Sequence, residues 1–431
     1  MMKLKKISIF FISALLCFIS SELFSLEISL DDYIKKALDT STEIKNYKDQ
    51  KEIAKKEYLN TVYQSYIPDV YYTLSSNLYS DAKKFSINDD ETSSSLNLSY
   101  NLFNNFKDKF TVDSQFIDIA IAEANLWLNV QDTIYNAISR YADLLKNKKM
   151  IEVSRSNMES YLDQYEKTKI YYSQGLKSYS DLLKSELNYK DSELFYTQNE
   201  NLEINSIISF NILIKDEPLS EKNPSEIVFD ESQGIAGIGE SIEKGLKNRK
   251  EIYIKEREIE KKEKELKKSY ATLYPDTKLD FSYAKNKIFS IGSGEKTYAL
   301  SFSLSFPITS GIYTKDKNYY EANIYLAEAR RDLDDLKLSI KKEIISAIYQ
   351  FSYSKKSYEV SKIKSKISND NLEITKQKYY EGNASVIDLV DAQKDQLNSQ
   401  TDLANSYYDL YLAMVYYKKV IGEELWKGEG I

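Results

Sequence analysis

The chain has 431 residues, a formal net charge of −7 from 59 basic and 66 acidic side chains, no histidine, and one cysteine that lies near the N terminus. This composition excludes His- or Cys-based catalysis, disulfides and the usual zinc sites in the rest of the chain, and leaves carboxylates, tyrosine, serine and lysine as candidate reactive groups. Because both charge signs are mixed throughout, nucleic acid is excluded as the main partner. We therefore expect no enzymatic activity, no cofactor and no metal.

The N terminus has the pattern of a secretory signal peptide over residues 1–25. Lysines precede an apolar run at residues 7–19, and small or polar residues follow it. The run is too short to span a bilayer as a stable anchor, so we expect cleavage after Ser21 or Ser25, with an uncleaved anchor as the alternative. Cys17 follows a large side chain where a lipidation signal has a small one, so a lipoprotein is not indicated.

The chain contains two copies of one unit, since residues 30–213 are repeated in the same order as residues 240–421. The pattern Gly-x-x-Ser-x-x-Asp-Leu that begins at Gly175 begins again at Gly382. A period of about 200 residues is too long for a solenoid and is typical of a duplicated half-molecule. We predict a first repeat at 26–214, a linker at 215–239, a second repeat at 240–422 and a tail at 423–431.

Each repeat is predicted to hold one strand hairpin, at residues 70–103 and 277–307, because apolar and polar side chains alternate there. About ten residues is the length at which a tilted strand crosses a bilayer, and the Tyr- and Phe-rich apolar face and the signal peptide favour a membrane strand over half of a soluble sheet. The polar face would line a watery lumen. The apolar face comprises Val70, Tyr72, Leu74, Leu78, Leu96, Leu98, Tyr100 and Leu102, then Leu279, Phe281, Tyr283, Tyr298, Leu300, Phe302, Leu304 and Phe306. The polar face comprises Thr73, Ser75, Asn77, Asn97, Ser99 and Asn101, then Asp280, Ser282, Ser301, Ser303 and Ser305.

Helices are predicted on both sides of each hairpin. Each repeat opens with a helix of about 36 residues that ends at Tyr66 or Tyr274, next to a proline. A helix of about 65 residues follows the hairpin, and a last helix of about 36 residues ends at Ile214 or Ile421. In the long helices, mostly apolar residues recur every 3.5 positions on average, which is the period of a coiled coil. The residues at this period are Ile117, Ile121, Ala124, Leu128, Gln131, Tyr135, Ile138, Ala142 and Leu145, then Leu333, Leu336, Ile340, Ile344, Ala347, Phe351, Ser354 and Tyr358.

Four membrane-length strands per chain are too few to close a barrel, since closed barrels begin at about eight strands. An open sheet in lipid would leave backbone groups unpaired at its edges, which is prohibitive. The chain must therefore form oligomers, and eight, twelve or sixteen strands are the possible outcomes.

Four segments resemble the TolC family of outer membrane efflux proteins over about residues 27–422. They are the strand ends LSYNLF (98–103) and LSFPIT (304–309), and the paired turns YYSQGLKSYSDLL (171–183) and YYEGNASVIDLV (379–390). The resemblance implies a homotrimer with a twelve-stranded transmembrane β-barrel in outer-membrane lipid and a long coiled-coil helical barrel in the periplasm. It also implies a periplasmic adaptor and an inner-membrane efflux pump or ABC transporter as partners. The expected function is a passive exit duct of a tripartite efflux or type I secretion system.

The paired turns have two interpretations that can both hold. Ser178 and Ser385 each precede an Asp by three residues at a helix start, which is typical of a helix N-cap with an acidic first turn. These turns also follow Gly175 and Gly382, at the end of the helices farthest from the barrel, where a tunnel would need a gate.

The resemblance gives the turn residues further roles. It implies that Asp181 ties neighbouring helical hairpins together through Tyr379. Asp388 and Asp391, on one helix face, would form an acidic ring at the periplasmic mouth. The arginine that helps to close this mouth in some relatives is Ala384 here, so that form of lock is not expected.

Two other function classes compete with the duct. A periplasmic adaptor would show one coiled-coil hairpin flanked by small Gly-rich β-domains, and this chain shows two copies with bilayer-length strands. A carboxylate-dependent hydrolase would use Asp388 and Asp391, but such a pair must flank a substrate across about 5 to 9 Å in a concave site. Two acids on one exposed helical turn make no such site.

Overall fold

The computed structural model describes residues 27–427 except 77, 82–83, 88–91, 232, 272 and 289–293. The predicted signal peptide and the predicted strand position Asn77 lie outside these residues. The chain divides into two compact units. We call them the helical unit, with described residues from 27–41, 130–242 and 343–427, and the sheet unit, with described residues from 42–129 and 243–342. Over the described part of the chain, no helix is both long and apolar enough to cross a membrane.

The predicted long helices are present in both repeats, and the structure confirms a mainly helical, duplicated architecture. The prediction of one opening helix per repeat is wrong, because that helix is broken at Ser41 and again at Arg249. Ser41 has a non-helical ψ of 123°, and serine side chains favour such local departures from the helix. The second opening helix also ends before Tyr274. The helices are α1 (Leu30–Thr40), α2 (Thr42–Tyr66), α3 (Lys107–Ser173), α4 (Tyr179–Leu213), α5 (Ile238–Asn248), α6 (Lys250–Ala271), α7 (Ile308–Tyr380) and α8 (Val386–Val420).

The two predicted hairpins join into one antiparallel sheet in the order β2-β5-β7-β8. A small antiparallel hairpin of β3 and β4, which the sequence did not predict, lies between β2 and β5 in the chain, and β1 pairs in parallel with β6. The strands are β1 (Glu27–Ile28), β2 (Asp69–Ser75), β3 (Leu78–Asp81), β4 (Lys84–Ile87), β5 (Ser93–Asn104), β6 (Asn223–Pro224), β7 (Asp276–Asn286) and β8 (Lys296–Ser305).

The strand register confirms that the sheet has one apolar and one polar face. Residues paired across neighbouring strands point to the same side of a sheet. One row across the four strands contains Val70, Leu98, Phe281 and Leu300, and another contains Tyr72, Leu96, Tyr283 and Tyr298. The row between them on the other face contains Tyr71, Asn97, Ser282 and Ala299, and the next polar row contains Asp69, Ser99, Asp280 and Ser301.

The regular alternation predicted through Leu102 is interrupted, because strand β5 has a β-bulge at this point. Asn101 pairs with Lys278 and Phe103 pairs with Thr277, so Leu102 has no cross-strand partner. A bulge adds one residue to one strand and shifts the alternation of side chains by one. Phe103 therefore takes the next place on the apolar face after Tyr100.

In the helical unit, buried small residues recur every seven positions. The predicted coiled-coil residues of α3 and α7, which extend through both units, are buried or half-buried. Small side chains let two helix backbones approach closely, because interaxial distance depends on the residues at the contact. The hydroxyls of Ser368 and Ser399 are hydrogen-bonded across α7 and α8. We call this series the small-residue seam, which comprises Ser185, Ser192, Asn199 and Ser206 in α4, Ser354, Ser361 and Ser368 in α7, and Ala392, Ser399, Ser406 and Ala413 in α8.

Side-chain contacts give the order of the helices in this unit as α4-α3-α8-α7. We call α4 and α7, the first and the last helix in this series of contacts, the edge helices; Lys167 of α3 also contacts Tyr380 of α7 near the end of both helices. The contacts are the stacked rings of Tyr165 and Tyr189 at 6.1 Å, the hydrogen bond of 3.1 Å from Gln393 to Ser160, and the Ser368–Ser399 contact.

The paired helical turns as candidate functional site

Both turns begin with a glycine that closes the preceding helix. Gly175 has a φ of +74° and Gly382 a φ of +80°, which L-residues with a side chain adopt at a cost. A Cβ at either position would meet no atom within 4 Å, so backbone conformation selects glycine here, not lack of space. The N–H groups of the glycine and of the following residue bond to carbonyls of the last helical turn at 3.0 and 2.8 Å in the first repeat and 3.2 and 2.7 Å in the second, which is a Schellman motif.

The next helix in each repeat starts with a reciprocal capping box. Ser178 Oγ accepts the Asp181 N–H at 3.1 Å, and the Asp181 carboxylate accepts the Ser178 N–H at 3.1 Å and its hydroxyl at 2.8 Å. Ser385 and Asp388 repeat these contacts at 3.2, 2.9 and 2.7 Å. The cap satisfies backbone N–H groups that have no partner in the helix. Both serines therefore have the capping role that their spacing predicts.

The cap also fixes the charge state of Asp388. The hydrogen bonds that its carboxylate accepts, first from the Ser385 hydroxyl and then from the Ser385 backbone, hold the pKa of Asp388 below its usual range. Because this pKa is depressed in the folded chain, the stabilisation from the cap is present above the ordinary aspartate pKa and is lost as the pH falls through the depressed value. Asp388 is exposed, so it presents a negative charge to solvent at neutral pH.

Two lysines connect the turn regions of the repeats. Lys177 Nζ lies 4.3 Å from the ring centroid of Tyr379. Lys167 Nζ lies 4.9 Å from the ring centroid of Tyr380 and 3.4 Å from its hydroxyl. A lysine over an aromatic face is attracted by the ring quadrupole. The structure thus brings together the two turns that the sequence predicted separately, through lysines that the sequence analysis did not identify.

Tyr379 is buried within the second turn, with 3% of its surface exposed, and packs against Val386 and Leu389. Within the described residues, its hydroxyl is buried and has no hydrogen-bond partner. The bond between Tyr379 and Asp181 that the resemblance implies is therefore not made inside one chain, where Asp181 bonds to Ser178. Leaving a buried hydroxyl unpaired costs about 1 to 3 kcal/mol, so a partner for this hydroxyl would stabilise the turn.

Asp391 lies one helical turn beyond Asp388, and both side chains are exposed. Residues three apart share a helix face, so the two carboxylates form one acidic patch. Burial, followed by the charge of Asp391, raises the pKa of Tyr161 on α3 to about 12. Within the described residues, no group of three or more acidic side chains is placed to hold a metal ion.

The second repeat is similar to a known family of proteins. Residues 241–423 match the model of a family described as outer membrane efflux protein. The second repeat belongs to the outer membrane efflux protein family. The matched range covers the predicted second repeat almost from end to end, and the resemblance to the TolC family is confirmed. No protein among curated sequences matches this chain.

Solved structures of outer membrane channels share the fold over both repeats. The CmeC channel of Campylobacter jejuni is 17% identical with a TM-score of 0.78, and the match covers 91% of this chain and 85% of that one. VceC of Vibrio cholerae is 15% identical with a TM-score of 0.75, covering 92% and 96%. The open state of MtrE from Neisseria gonorrhoeae is 18% identical with a TM-score of 0.73, covering 92% and 89%. At these identities the match shows a common fold, which includes the first repeat.

Proposed function

We propose that this chain forms the outer-membrane exit duct of a tripartite efflux or type I secretion system, and passively conducts small molecules or proteins from periplasmic partners to the exterior. The observation that carries the proposal is the continuous apolar face of the sheet, where Val70, Tyr72, Leu300 and Phe302 are 62 to 71% exposed. A contiguous exposed apolar patch marks a surface that meets lipid or a partner. Strands of 10 to 12 residues in β5, β7 and β8 suit a tilted crossing of the bilayer.

The sheet edges support assembly from several copies. Strands β2 and β8 each have a partner on one side only, and unpaired edges are prohibitive in lipid. Because β2 and β8 are antiparallel to one another through the sheet, β8 of one copy can pair with β2 of the next and continue the same pattern. Three copies then give the twelve-stranded barrel, with the helical part in the periplasm beside an adaptor and an inner-membrane pump or ABC transporter.

The edge helices of the helical unit support the same head-to-tail contact. Each has an exposed apolar stripe at heptad spacing, which is typical of a helix that pairs with another. The stripe on α4 includes Leu183, Leu187 and Leu194, and the stripe on α7 includes Tyr353, Val360, Ile363, Ile367 and Ile374.

The charges on these two helices are complementary. Helix α4 has six acidic and two basic side chains, a net charge of −4, and residues 349–380 of α7 have seven lysines and three acidic side chains, a net charge of +4. Opposite fields on two surfaces guide association and fix which surfaces meet. We infer that α4 of one copy packs against α7 of the next, which is a heterologous contact that can close into a ring.

We expect the native mass in detergent to be three times that of the mature chain.

Replacing Lys364 and Lys366 by Glu should reduce the trimer fraction at low salt by about tenfold, since each exposed ion pair contributes about 0.2 to 1 kcal/mol and the reversal adds repulsion. Combining this change with Asp191→Lys and Glu193→Lys on α4 should restore it. The α4–α7 contact would be contradicted if the lysine reversal left the trimer fraction at low salt unchanged. It would also be contradicted if the four-residue variant had no higher trimer fraction than the two-residue variant.

We propose that the paired turns form the periplasmic aperture, where Asp388 and Asp391 of each copy attract cations. Gln is the usual capping-box partner alongside Glu, so Asp388→Gln keeps the cap and removes the charge. We expect the variant Asp388→Gln with Asp391→Asn to lose much of the cation preference of single channels. Its melting temperature should fall only slightly, because the cap remains and the stabilising charge at the helix N-terminus is lost. The preference of the unaltered channel should persist in mild acid, because the pKa of Asp388 is depressed.

Asp181→Gln is the matched control for these variants, since it also keeps a cap and removes a charge at the first turn. Its effect on cation preference should be smaller. Tyr379→Phe should raise conductance, because it would remove the bond that the resemblance implies between this hydroxyl and Asp181 of an adjacent hairpin. Unchanged selectivity in the Asp388 and Asp391 variant would place the constriction elsewhere and leave Asp388 with the capping role alone.

A further inference from the structure

A cavity of about 560 Å³ lies within the helical unit, away from the paired turns. It is an open cavity lined by helices α3, α7 and α8 and by the linker. Its size is within the range of small-molecule sites, about 300 to 1,000 Å³. Its lining combines apolar side chains with three tyrosines and a small number of charged groups. The apolar and aromatic lining residues are Val153, Ile227, Tyr358, Leu403, Ala404, Tyr407 and Tyr408.

The three tyrosines form a fixed aromatic corner. The rings of Tyr358 and Tyr407 are 5.7 Å apart at 57°, and those of Tyr407 and Tyr408 are 5.2 Å apart at 87°. Tyr407 donates a hydrogen bond of 2.7 Å to the Ile227 carbonyl, and Tyr358 donates one of 2.7 Å to Glu231. These bonds to the linker hold two of the rings in place. Tilted and edge-to-face pairs are arrangements that aromatic rings prefer, and a ring face carries negative potential that attracts a cation.

Charge in and around the cavity is negative once its ion pairs are counted. Lys149 pairs with Glu152 at 2.6 Å, and Lys362 pairs with Glu231 at 3.3 Å. Glu226 also lines the cavity, and within the described residues no lysine or arginine pairs with its carboxylate. Burial, followed by the charge of Glu226, raises the pKa of Tyr408 to about 12. Because both lysines are paired with carboxylates, the carboxylate of Glu226 makes the charge of the cavity negative.

A cation already lies on one wall of the corner. Lys362 Nζ is 5.7 Å from the ring centroid of Tyr358, within the distance of about 6 Å at which a cation is attracted to a ring face. Because Lys362 is paired with Glu231, it lies on the side of the cavity next to Tyr358. The part of the cavity between Tyr407, Tyr408 and Glu226 is therefore available to a ligand.

We propose that this cavity binds an organic cation, a tertiary or quaternary ammonium group with an apolar body. The ammonium group would lie against the Tyr407 and Tyr408 rings beside Glu226, and the apolar part against Ile227 and Leu403. Desolvation penalises a quaternary ammonium less than a primary one because it has no N–H groups to satisfy, and an aromatic corner with a carboxylate is the arrangement that recognises it. The proposal does not depend on transport through the duct.

The test is calorimetric titration of the full-length protein in detergent with choline and with its neutral isostere, in which carbon replaces the ammonium nitrogen. We expect choline to bind and the isostere to bind about tenfold more weakly, a factor typical of one cation–π and carboxylate contact. Glu226→Gln should weaken choline binding about threefold, because it removes the carboxylate contact and keeps the cation–π contact, and it should leave binding of the isostere unchanged. Tyr408→Leu should weaken it, whereas Tyr408→Phe, which keeps the ring, should not.

Two controls separate this site from general effects. Glu221→Gln removes an exposed carboxylate of the same linker and should leave choline binding unchanged. Lys362→Met removes a positive charge beside the cavity and should tighten choline binding. Equal binding of choline and the isostere, or no loss with Glu226→Gln, would overturn the cation site. The native mass of each variant, measured in parallel, reports assembly independently, so a failure of the duct architecture cannot be confused with a failure of this site.

Discussion

Arginine at Leu300 or Phe302 is expected to impair assembly of the channel by about 2 to 4 kcal/mol, the cost of a charge on the lipid face near the bilayer midplane. Both side chains are more than 60% exposed on the apolar face, at 71% and 64%. Leu300 pairs with Phe281 and Phe302 with Leu279, so no acidic neighbour on that face offsets the charge. Folding into lipid vesicles, followed by urea titration, measures the loss.

Arginine at Ser301 is the matched control, one residue along the same strand. Ser301 pairs with Asp280 on the opposite face, where an arginine would meet a carboxylate and water. We expect this variant to assemble normally. Equal damage at Ser301 and at Leu300 would show that the two faces meet similar surroundings, as in a sheet buried within soluble protein.

Leucine at Ser368 or Ser399 should destabilise the helical unit by about 1 to 3 kcal/mol, the usual cost of overpacking a close contact. These two buried residues of the small-residue seam meet between α7 and α8, and leucine would force the helices apart while removing a buried hydrogen bond. Thermal unfolding followed by circular dichroism gives the change, and the double variant should lose less than the sum of the single ones because the sites share one contact.

The control for the seam is Ser352→Leu on the same helix. The Ser352 hydroxyl bonds to the Ile348 carbonyl at 2.9 Å, as that of Ser368 bonds to Ser365 at 3.1 Å, but Ser352 is exposed. It therefore separates the effect of leucine on a helix from the effect of leucine between helices. A similar loss of stability at Ser352 would mean that α7 and α8 do not depend on close approach.

Periodicity made most of the fold predictable. In the strands, apolar residues at every second position identify the two faces of the sheet. In α3 and α7, apolar residues spaced by alternately four and three positions identify the buried side. Each pattern follows from backbone geometry alone. The bulge at Leu102 was not predictable, because it depends on a count of residues across two strands. Breaks at Ser41 and Arg249 carry neither proline nor glycine, and so lack the strongest local signals.

Some features of the candidate site were predictable from local sequence, and others depend on contacts between distant residues. Glycine and the Ser-x-x-Asp spacing act within a few residues, so both turns and both caps followed from local sequence. The contact of Lys177 with Tyr379 joins positions about half a chain apart, and only packing of the helices brings them together. The opposite charges of α4 and α7 are visible in the sequence, but they acquire meaning only when the helix order places both at an edge.

The α4–α7 contact between copies determines how altered and normal chains would assemble together. In the ring that we propose, each copy packs its acidic α4 against one neighbour and its basic α7 against the other. A copy altered on α7 alone, mixed with normal copies, should therefore weaken one contact of its ring and leave the others intact. A copy with both charge patterns exchanged would reject the parental chain and still recognise itself. Two such versions made in one cell should sort into separate pores, because helices of like charge would meet in a mixed ring.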